Sequence, residues 1–282
     1  MTSPFWTYRS ASGSRFEEAL SSNPRDSLLA FDFDGTLSRI VPRAEDARMV
    51  EESAEALARL ARSGVQVAII SGRPIDTLLE LSRAAEKPGL ASSLIFGHYG
   101  AERLDLATGE RSSPAPPRGI SEAKRELVEL LKQYPGATLE DKGLAVAAHF
   151  RNSSNRDVDF ESAGARVREI AEHNELTVEP GRYVWELRGP TVTKGDALRE
   201  LVIERRPSSV MFAGDDLGDI AAFEALAQIG NSEDGPVTCA VVARSNEAAE
   251  LEKYADILCE GPGGIAAWLT ALAASISADP AS

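Results

Sequence analysis

A series of short apolar runs, alternating with helix-like segments, places the strongest constraint on how this chain folds. The runs are residues 28–33, 65–70, 94–96, 210–213 and 239–242. Continuous apolar runs of this length are typical of parallel strands that are buried on both faces. Residues 51–62, between the first two runs, carry apolar side chains at helical spacing and are followed by Gly64, which can cap a helix. The alternation predicts an α/β fold with a Rossmann-like, doubly wound parallel sheet, whose functional site lies at the carboxyl ends of the strands.

The middle of the chain has a different pattern. Residues 112–119 (SSPAPPRG) are typical of a linker. After them the pattern predicts, in order, a helix over 121–134, strands around 141 and over 144–150, a helix over 158–173, and a hairpin of 176–178 and 183–187 with Pro180–Gly181 as its turn. We therefore expect an inserted α+β cap at 110–183 between core segments 28–109 and 184–282, and an N-terminal extension at 1–27. Two further helices are predicted in the core, over 75–86 and 265–278.

Two acidic clusters follow predicted core strands. Asp32 and Asp34 belong to DFDGT, and Asp215, Asp216 and Asp219 belong to GDDLGD. Carboxylates at i and i+2 of an extended strand end point in the same direction, and three acids within five positions repel one another unless a cation is present. Acids at strand ends and helix starts also occur simply as solvated groups. The two clusters together nevertheless favour a shared site for a hard cation, and the ligand type favours Mg²⁺.

Groups suited to binding a phosphoryl group lie between the two clusters. Ser71, Gly72 and Arg73 directly follow a predicted strand, and Lys194 opens a predicted helix. A hydroxyl, free backbone N–H groups and an ammonium at strand ends are the partners that phosphoryl oxygens require. Each signal is weak alone, since a single lysine is more often a surface residue.

In order, DFDGT, Ser71, Lys194 and GDDLGD resemble the four motifs of the haloacid dehalogenase superfamily of phosphotransferases. The segments 97–102 (GHYGAE), 141–151 and 185–195 resemble the trehalose-6-phosphate phosphatases, which carry a cap of this kind. The resemblance implies that Asp32 is a nucleophile and Asp34 a general acid and base. It also implies that Mg²⁺ is held by Asp32, the Asp34 backbone and Asp215, with support from Asp216 or Asp219. Ser71 and Lys194 match the positions that hold the phosphate, and no organic cofactor is implied.

The resemblance also predicts how a sugar phosphate is bound. Substrate-binding candidates in the cap are Glu140, Lys142, Arg151, Arg182 and Glu186, and those in the core are Gly72, Arg73, His98 and Glu102. The family more usually has Lys where Arg182 stands, a His or Asn near Tyr99, and ELRPP in place of ELRGP. The motifs and the cap segments make trehalose 6-phosphate the expected substrate, and these departures keep another disaccharide or pseudodisaccharide phosphate as the alternative. A silent sugar-phosphate sensor and a phosphomutase are the other hypotheses; the complete motif set disfavours the first and the cap segments disfavour the second.

Net charge and hydropathy limit the possible binding partners and the possible location of the protein. The 30 Lys and Arg residues against 44 Asp and Glu give a net charge of −14, which disfavours nucleic acid and anionic membrane surfaces as partners. No apolar run reaches the roughly 18 residues of a membrane-spanning helix. Residues 1–26 lack the pattern of a secretory signal. We expect a cytoplasmic protein with two reduced cysteines that form no metal site, and the sequence predicts no particular oligomeric state.

Overall fold

The computed structural model describes residues 5–189, 192–245 and 249–277, and within it the chain forms two units that each contain a sheet. The first unit, the core, comprises 1–112 and 192–282, and the second, the cap, comprises 113–191. No helix within the described ranges is long and apolar enough to cross a membrane.

The core contains a nine-stranded sheet in the order β1-β13-β12-β11-β2-β3-β4-β5-β6. The strands are β1 (Trp6–Tyr8), β2 (Ser27–Phe31), β3 (Gln66–Ile70), β4 (Leu94–Gly97), β5 (Glu102–Asp105), β6 (Arg111–Ser112), β11 (Ser209–Gly214), β12 (Val237–Ala243) and β13 (Ile257–Cys259). The run from β13 to β4 is parallel, whereas β1, β5 and β6 are antiparallel additions at the edges. The predicted parallel sheet is confirmed.

Helices cover both faces of this sheet. They are α1 (Ala11–Ser22), α2 (Glu51–Arg62), α3 (Ile75–Ser82), α6 (Lys194–Arg205), α7 (Ile220–Gly230) and α8 (Gly261–Ser277). In the central strand β2, Leu29 and Phe31 belong to the core cluster of α1, α2, α3 and α8, while Leu28 and Ala30 belong to that of α6 and α7. All four side chains are fully buried, and burying each larger one contributes about 1.5–3 kcal/mol. A strand buried on both faces needs an uninterrupted apolar run, which explains the pattern in the sequence.

The N-terminal segment is not a separate extension. Strand β1 pairs with β13 through Trp6↔Cys259 to Tyr8↔Ile257. Phe16 and Leu20 of α1 are fully buried in the core. The prediction of a separate segment at 1–27 is wrong because a three-residue strand has too few side chains to show a periodicity.

The cap is a four-stranded antiparallel sheet in the order β7-β8-β10-β9, with two helices on one face. Its elements are α4 (Ile120–Leu131), β7 (Thr138–Asp141), β8 (Ala145–His149), α5 (Arg156–His173), β9 (Thr177–Gly181) and β10 (Val184–Arg188). Val146, Ala148, Trp185 and Leu187 point toward the helices and are buried. Because side chains alternate along a strand, Ala147 and Glu186 lie on the opposite face.

Several predicted boundaries differ from the structure. The cap extends to 191 rather than 183, because β10 pairs with β8 from Val184↔His149 to Arg188↔Ala145. Pro180 and Gly181 are inside β9 rather than in a turn, and the turn is formed by Arg182 and Tyr183, which has φ +59°.

The boundaries of two predicted core helices also differ from the structure. Helix α3 ends at Ser82 because Arg83 adopts a left-handed conformation. Helix α8 begins at Gly261, earlier than predicted, and the predicted end at Ala278 lies outside the described residues.

Candidate active site

The two acidic clusters lie side by side at the carboxyl edge of the core sheet. Asp32 directly follows β2 and Asp215 directly follows β11, and the two strands are parallel neighbours. The Asp32 N–H donates to the Ala213 carbonyl oxygen at 2.8 Å, so the strand pairing continues up to the first acid. The fold therefore brings together two clusters that are far apart in sequence.

Lys194 is buried between carboxylates from both clusters. Its Nζ lies 2.6 Å from Asp32 Oδ1 and 2.6 Å from Asp219 Oδ1. Lys194 and Asp32 are each 3% exposed and Asp219 is fully buried. Lys194 is the first residue of α6, whose start is fixed by a capping box in which Thr193 and Asp196 each accept a hydrogen bond from the other's backbone N–H. The surface-lysine alternative is excluded.

Burial and like charge perturb the titration of this cluster. Burial raises the pKa of Asp32 well above its ordinary value, and Lys194 opposes this only in part. Burial and the carboxylates of Asp219 and Asp216 raise the pKa of Asp215 to about 8. Burial also raises the pKa of Asp219 to about 6, against the influence of Lys194. Burial alone would lower the pKa of Lys194, but the carboxylates of Asp219 and Asp32 outweigh it and raise that pKa. Lys194 alone does not balance the buried carboxylates.

The donor set fits a hard divalent cation. Asp32, Asp215 and Asp219 offer carboxylate oxygens that lie within 4.8 Å of one another. Oxygen donors with excess negative charge are the ligands that Mg²⁺ prefers. Gly35, with φ +83°, allows the Asp215 carboxylate to lie against its backbone, since a Cβ there would be 2.0 Å from Asp215 Oδ2. Thr36 Oγ1 donates to Asp215 Oδ1 at 3.3 Å. The predicted metal site is thus chemically consistent with these residues.

Asp219 and Asp216, the two predicted supporting acids, have different surroundings. The Asp219 carboxylate accepts hydrogen bonds from the backbone N–H groups of Asp215 and Asp216, at 2.9 and 3.1 Å, in addition to Lys194. Asp216 is exposed, and its side chain accepts the Asp219 N–H. This geometry favours Asp219 as the residue that orients Asp215 and Lys194.

Arg73 holds the second acid of DFDGT. Its Nε lies 2.5 Å from Asp34 Oδ2 and its Nη2 lies 2.7 Å from Asp34 Oδ1, which is a bidentate pair. The pair is accessible, with the Arg73 side chain 17% exposed and that of Asp34 33% exposed. The buried Ser71 hydroxyl accepts the Arg73 backbone N–H at 3.2 Å. The segment Ser71–Arg73 therefore lies beside Asp34, as the sequence predicts.

His98 and Glu102 are buried rather than presented to solvent. Each is 6% exposed. Glu102 Oε2 accepts the Ile75 N–H at 2.9 Å, at the start of α3, and His98 Nε2 lies 3.9 Å from the same oxygen. Arg111 Nη2 lies 3.6 Å from Glu102 Oε1. Direct contact of these residues with a sugar stays a prediction, and their burial favours a positioning role.

Sequence reasoning did not assign Tyr99 to the site. Its backbone N–H donates to the Ser71 carbonyl oxygen at 2.8 Å, and its ring lies against Gly72. The sequence signal that could have identified it is the tyrosine in GHYGAE, near which the family more usually has His or Asn.

The cap candidates form two groups. In the first group, Lys142 Nζ lies 2.5 Å from Glu186 Oε2. Glu140 and Glu186 are both paired with Ala147 of β8, so these two glutamates lie in one row across the sheet, on the face that the cap helices do not cover. His149, which was not predicted, pairs with Glu140 through Nε2 and Oε2 at 2.8 Å.

Arg151 and Arg182 form the second group. Both are exposed, and they flank the end of β8 and β10 that is opposite the Lys142 turn. A five-residue strand such as β8 spans about 17 Å, so the structure does not place all five cap candidates in one cluster.

The fold and the strand-end residues define a protein of the haloacid dehalogenase class. A solved structure of the Candida albicans trehalose-6-phosphate phosphatase C-terminal domain is similar, with a TM-score of 0.77 and 21% identity, and the match covers 96% of this chain and 99% of that one. The sequence model of the trehalose-phosphatase family matches residues 30–255 of this chain. The chain belongs to the trehalose-phosphatase family.

This chain spans less than two thirds of the length of the first curated relatives that it matches. A trehalose-phosphate phosphatase of Mycobacterium marinum is 33% identical over 90% of this chain and 63% of its own length. An uncharacterized glycosyl hydrolase of Mycobacterium tuberculosis is 34% identical over 87% of this chain, which spans only 18% of that protein.

Proposed function

We propose that this chain is a Mg²⁺-dependent phosphatase that hydrolyses trehalose 6-phosphate to trehalose and inorganic phosphate. The observation that carries the proposal is the buried group of Asp32, Lys194 and Asp219, in which the lysine ammonium contacts both carboxylates. Membership of the trehalose-phosphatase family and similarity to proteins named as trehalose-phosphate phosphatases support the substrate.

The first half of the reaction is assigned to Asp32 and Asp34. The Lys194 ammonium and the Ser71 hydroxyl bind phosphoryl oxygens while an Asp32 carboxylate oxygen attacks phosphorus. The new bond makes an aspartyl-phosphate as the bond from phosphorus to the sugar oxygen breaks. Asp34 donates a proton to that oxygen, so neutral sugar leaves.

The second half reverses the role of Asp34. It takes a proton from water, the water oxygen attacks phosphorus, and the bond to Asp32 breaks to release phosphate. Both Asp34 oxygens accept a hydrogen bond from Arg73, and each oxygen keeps a second lone pair that can carry the transferred proton. A phosphoryl oxygen is a competing partner for the guanidinium.

Asp32, the backbone carbonyl of Asp34 and Asp215 would hold Mg²⁺, with Asp219 as the orienting acid. When bound, the ion supplies positive charge that lets a phosphate dianion approach two carboxylates. Glu140, Lys142 and Glu186 supply hydrogen-bonding groups for sugar hydroxyls. A cytoplasmic location, a role for Arg151 and Arg182 in sugar binding, and a lack of nucleic acid or membrane partners stay predictions.

A substrate panel tests the proposal. Purified protein should release phosphate from trehalose 6-phosphate with Mg²⁺ much faster than from glucose 6-phosphate, and EDTA should abolish the release. Asp32→Asn should be inactive, whereas Asp46→Asn, a change of an exposed acid in the same unit, should leave the rate unchanged.

The outcomes separate the hypotheses. A rate on trehalose 6-phosphate no better than on glucose 6-phosphate would refute the substrate assignment. Faster turnover of another disaccharide or pseudodisaccharide phosphate would replace trehalose 6-phosphate with that substrate, and tight binding without turnover would identify a sensor.

A further inference from the structure

The turn after β4 has an unusual backbone. His98 and Tyr99 are consecutive non-glycine residues with φ of +49° and +62°. Positive φ values are uncommon for non-glycine residues, and two in succession persist only where the surroundings impose them. The turn therefore has to be explained by its contacts.

Backbone hydrogen bonds explain the turn but not the tyrosine. The Tyr99 N–H donates to the Ser71 carbonyl oxygen at 2.8 Å, and the His98 N–H donates to the Arg73 carbonyl oxygen at 3.0 Å. These bonds hold the segment that carries Ser71 and Arg73. Glycine or asparagine would make the same backbone bonds and adopt a left-handed conformation with less strain. The aromatic side chain needs a separate reason.

The Tyr99 ring lies between two loops of the candidate active site. A Cβ at Gly72 would be 2.7 Å from Tyr99 Cζ and 2.9 Å from its hydroxyl oxygen, so only glycine leaves room for the ring. A Cβ at Gly218, in the GDDLGD segment, would be 3.9 Å from Tyr99 Cε1. Tyr99 is half-buried, so the residue is partly accessible beside both loops.

The chemistry of this side chain suits a sugar more than a phosphate. Lys194 and Ser71 provide an ammonium and a hydroxyl for phosphoryl oxygens. A partly accessible tyrosine instead offers an apolar ring for C–H groups and one hydroxyl that can donate to or accept from a sugar hydroxyl. We infer that Tyr99 is a specificity-determining residue that contacts the sugar part of the substrate at the core side of the site; this inference rests on the proposed function.

Substitutions that distinguish the contribution of the side chain from that of the backbone conformation test this role. Tyr99→Phe removes only the hydroxyl, and Tyr99→Asn removes the ring while tolerating the left-handed conformation. Tyr254→Phe is the matched control, because Tyr254 packs on Phe223 within the core and is not part of the site. The kcat and KM of each variant are measured with trehalose 6-phosphate and with acetyl phosphate, which has neither a sugar nor an aromatic ring.

We expect Tyr99→Phe to raise the KM for trehalose 6-phosphate about 3- to 10-fold, the effect of one neutral hydrogen bond. Tyr99→Asn should raise it about 10-fold or more, since ring contact is lost as well. With acetyl phosphate, both variants should keep the wild-type kcat/KM within about twofold, as should Tyr254→Phe with both substrates.

Two results would overturn the inference while leaving the proposed function intact. One is that neither Tyr99 variant changes the KM for trehalose 6-phosphate. The other is an equal loss on both substrates, which would mean that the side chain only supports the loop. If the wild-type enzyme prefers another sugar phosphate, the proposed substrate is refuted. The KM comparison between the wild type and the Tyr99 variants is then made with that sugar phosphate. A wild type that hydrolyses acetyl phosphate but no sugar phosphate overturns both.

Discussion

Replacing Lys194 with methionine removes the ammonium that lies 2.6 Å from both Asp32 and Asp219, while keeping a side chain of similar length. The three side chains are at most 4% exposed. Water therefore cannot replace the lost partner without a rearrangement. Breaking a buried ion pair by removing one member costs about 3–5 kcal/mol, so we expect Lys194→Met to lower the free energy of unfolding by this amount in metal-free buffer at alkaline pH.

The loss of unfolding free energy in Lys194→Met should increase as the pH rises. Burial already raises the pKa of Asp219 to about 6 and holds that of Asp32 well above its ordinary value, and removal of Lys194 should raise both pKa values. A carboxyl group whose folded-state pKa is raised favours the folded state when it is protonated, and this benefit is lost as pH rises through that pKa. The destabilisation of Lys194→Met should therefore be smaller near pH 5.5 than near pH 8.5.

Thermal unfolding followed by circular dichroism in EDTA measures this effect. At about 2–4 °C per kcal/mol for a unit of roughly 200 residues, the Tm should fall by about 6–20 °C at pH 8.5. Lys124→Met is the matched control, because its pair with Asp141 is nearly half exposed and contributes at most about 1 kcal/mol. A Tm shift below about 3 °C at pH 8.5, or an equal shift at the two pH values, would refute the reasoning.

Three further changes have defined outcomes. Gly35→Ala would place a Cβ at 2.0 Å from Asp215 Oδ2 and force that carboxylate to move, so kcat should fall by a factor on the order of 10²; a rate within threefold of wild type would contradict this. Thr193→Ala removes the side-chain cap of α6 and should lower the free energy of unfolding in urea by about 1 kcal/mol; an unchanged urea midpoint would count against the cap. Burial raises the pKa of both the Cys239 and the Cys259 thiol, so Ellman's reagent at pH 8 should label neither in the folded protein and both in urea; rapid labelling of either native thiol would show that it is accessible.

The parts of the fold that could be predicted from the sequence are those that leave a local signal. Strand β2 is buried on both faces and must be apolar throughout, so its position and the acids that follow it are visible in the sequence. Parallel neighbours end at the same edge of a sheet, which is why Asp32 and Asp215 were expected together. Lys194 was a weak signal alone because its burial depends on how α6 packs.

The features that could not be predicted depend on long-range pairing. Strand β1 has three residues and is defined by its pairing with β13, from the other end of the chain. Strand β10 was predicted as the second strand of a hairpin with β9, but its additional pairing with β8, which places the whole strand in the cap sheet, leaves no local signal. Pro180 lies inside β9, although proline next to glycine usually marks a turn. Tyr99 was not included among the predicted site residues, because the packing of its ring against Gly72 leaves no signal in the sequence.

The most direct test of the central claim is a rapid-mixing experiment with p-nitrophenyl phosphate, whose good leaving group needs no acid. Asp34→Asn should form the aspartyl-phosphate and then stall, because water is not activated for its hydrolysis. The account predicts a burst of p-nitrophenol near one equivalent of enzyme followed by slow turnover, and no burst from Asp32→Asn. A burst from Asp32→Asn would mean that another residue is the nucleophile.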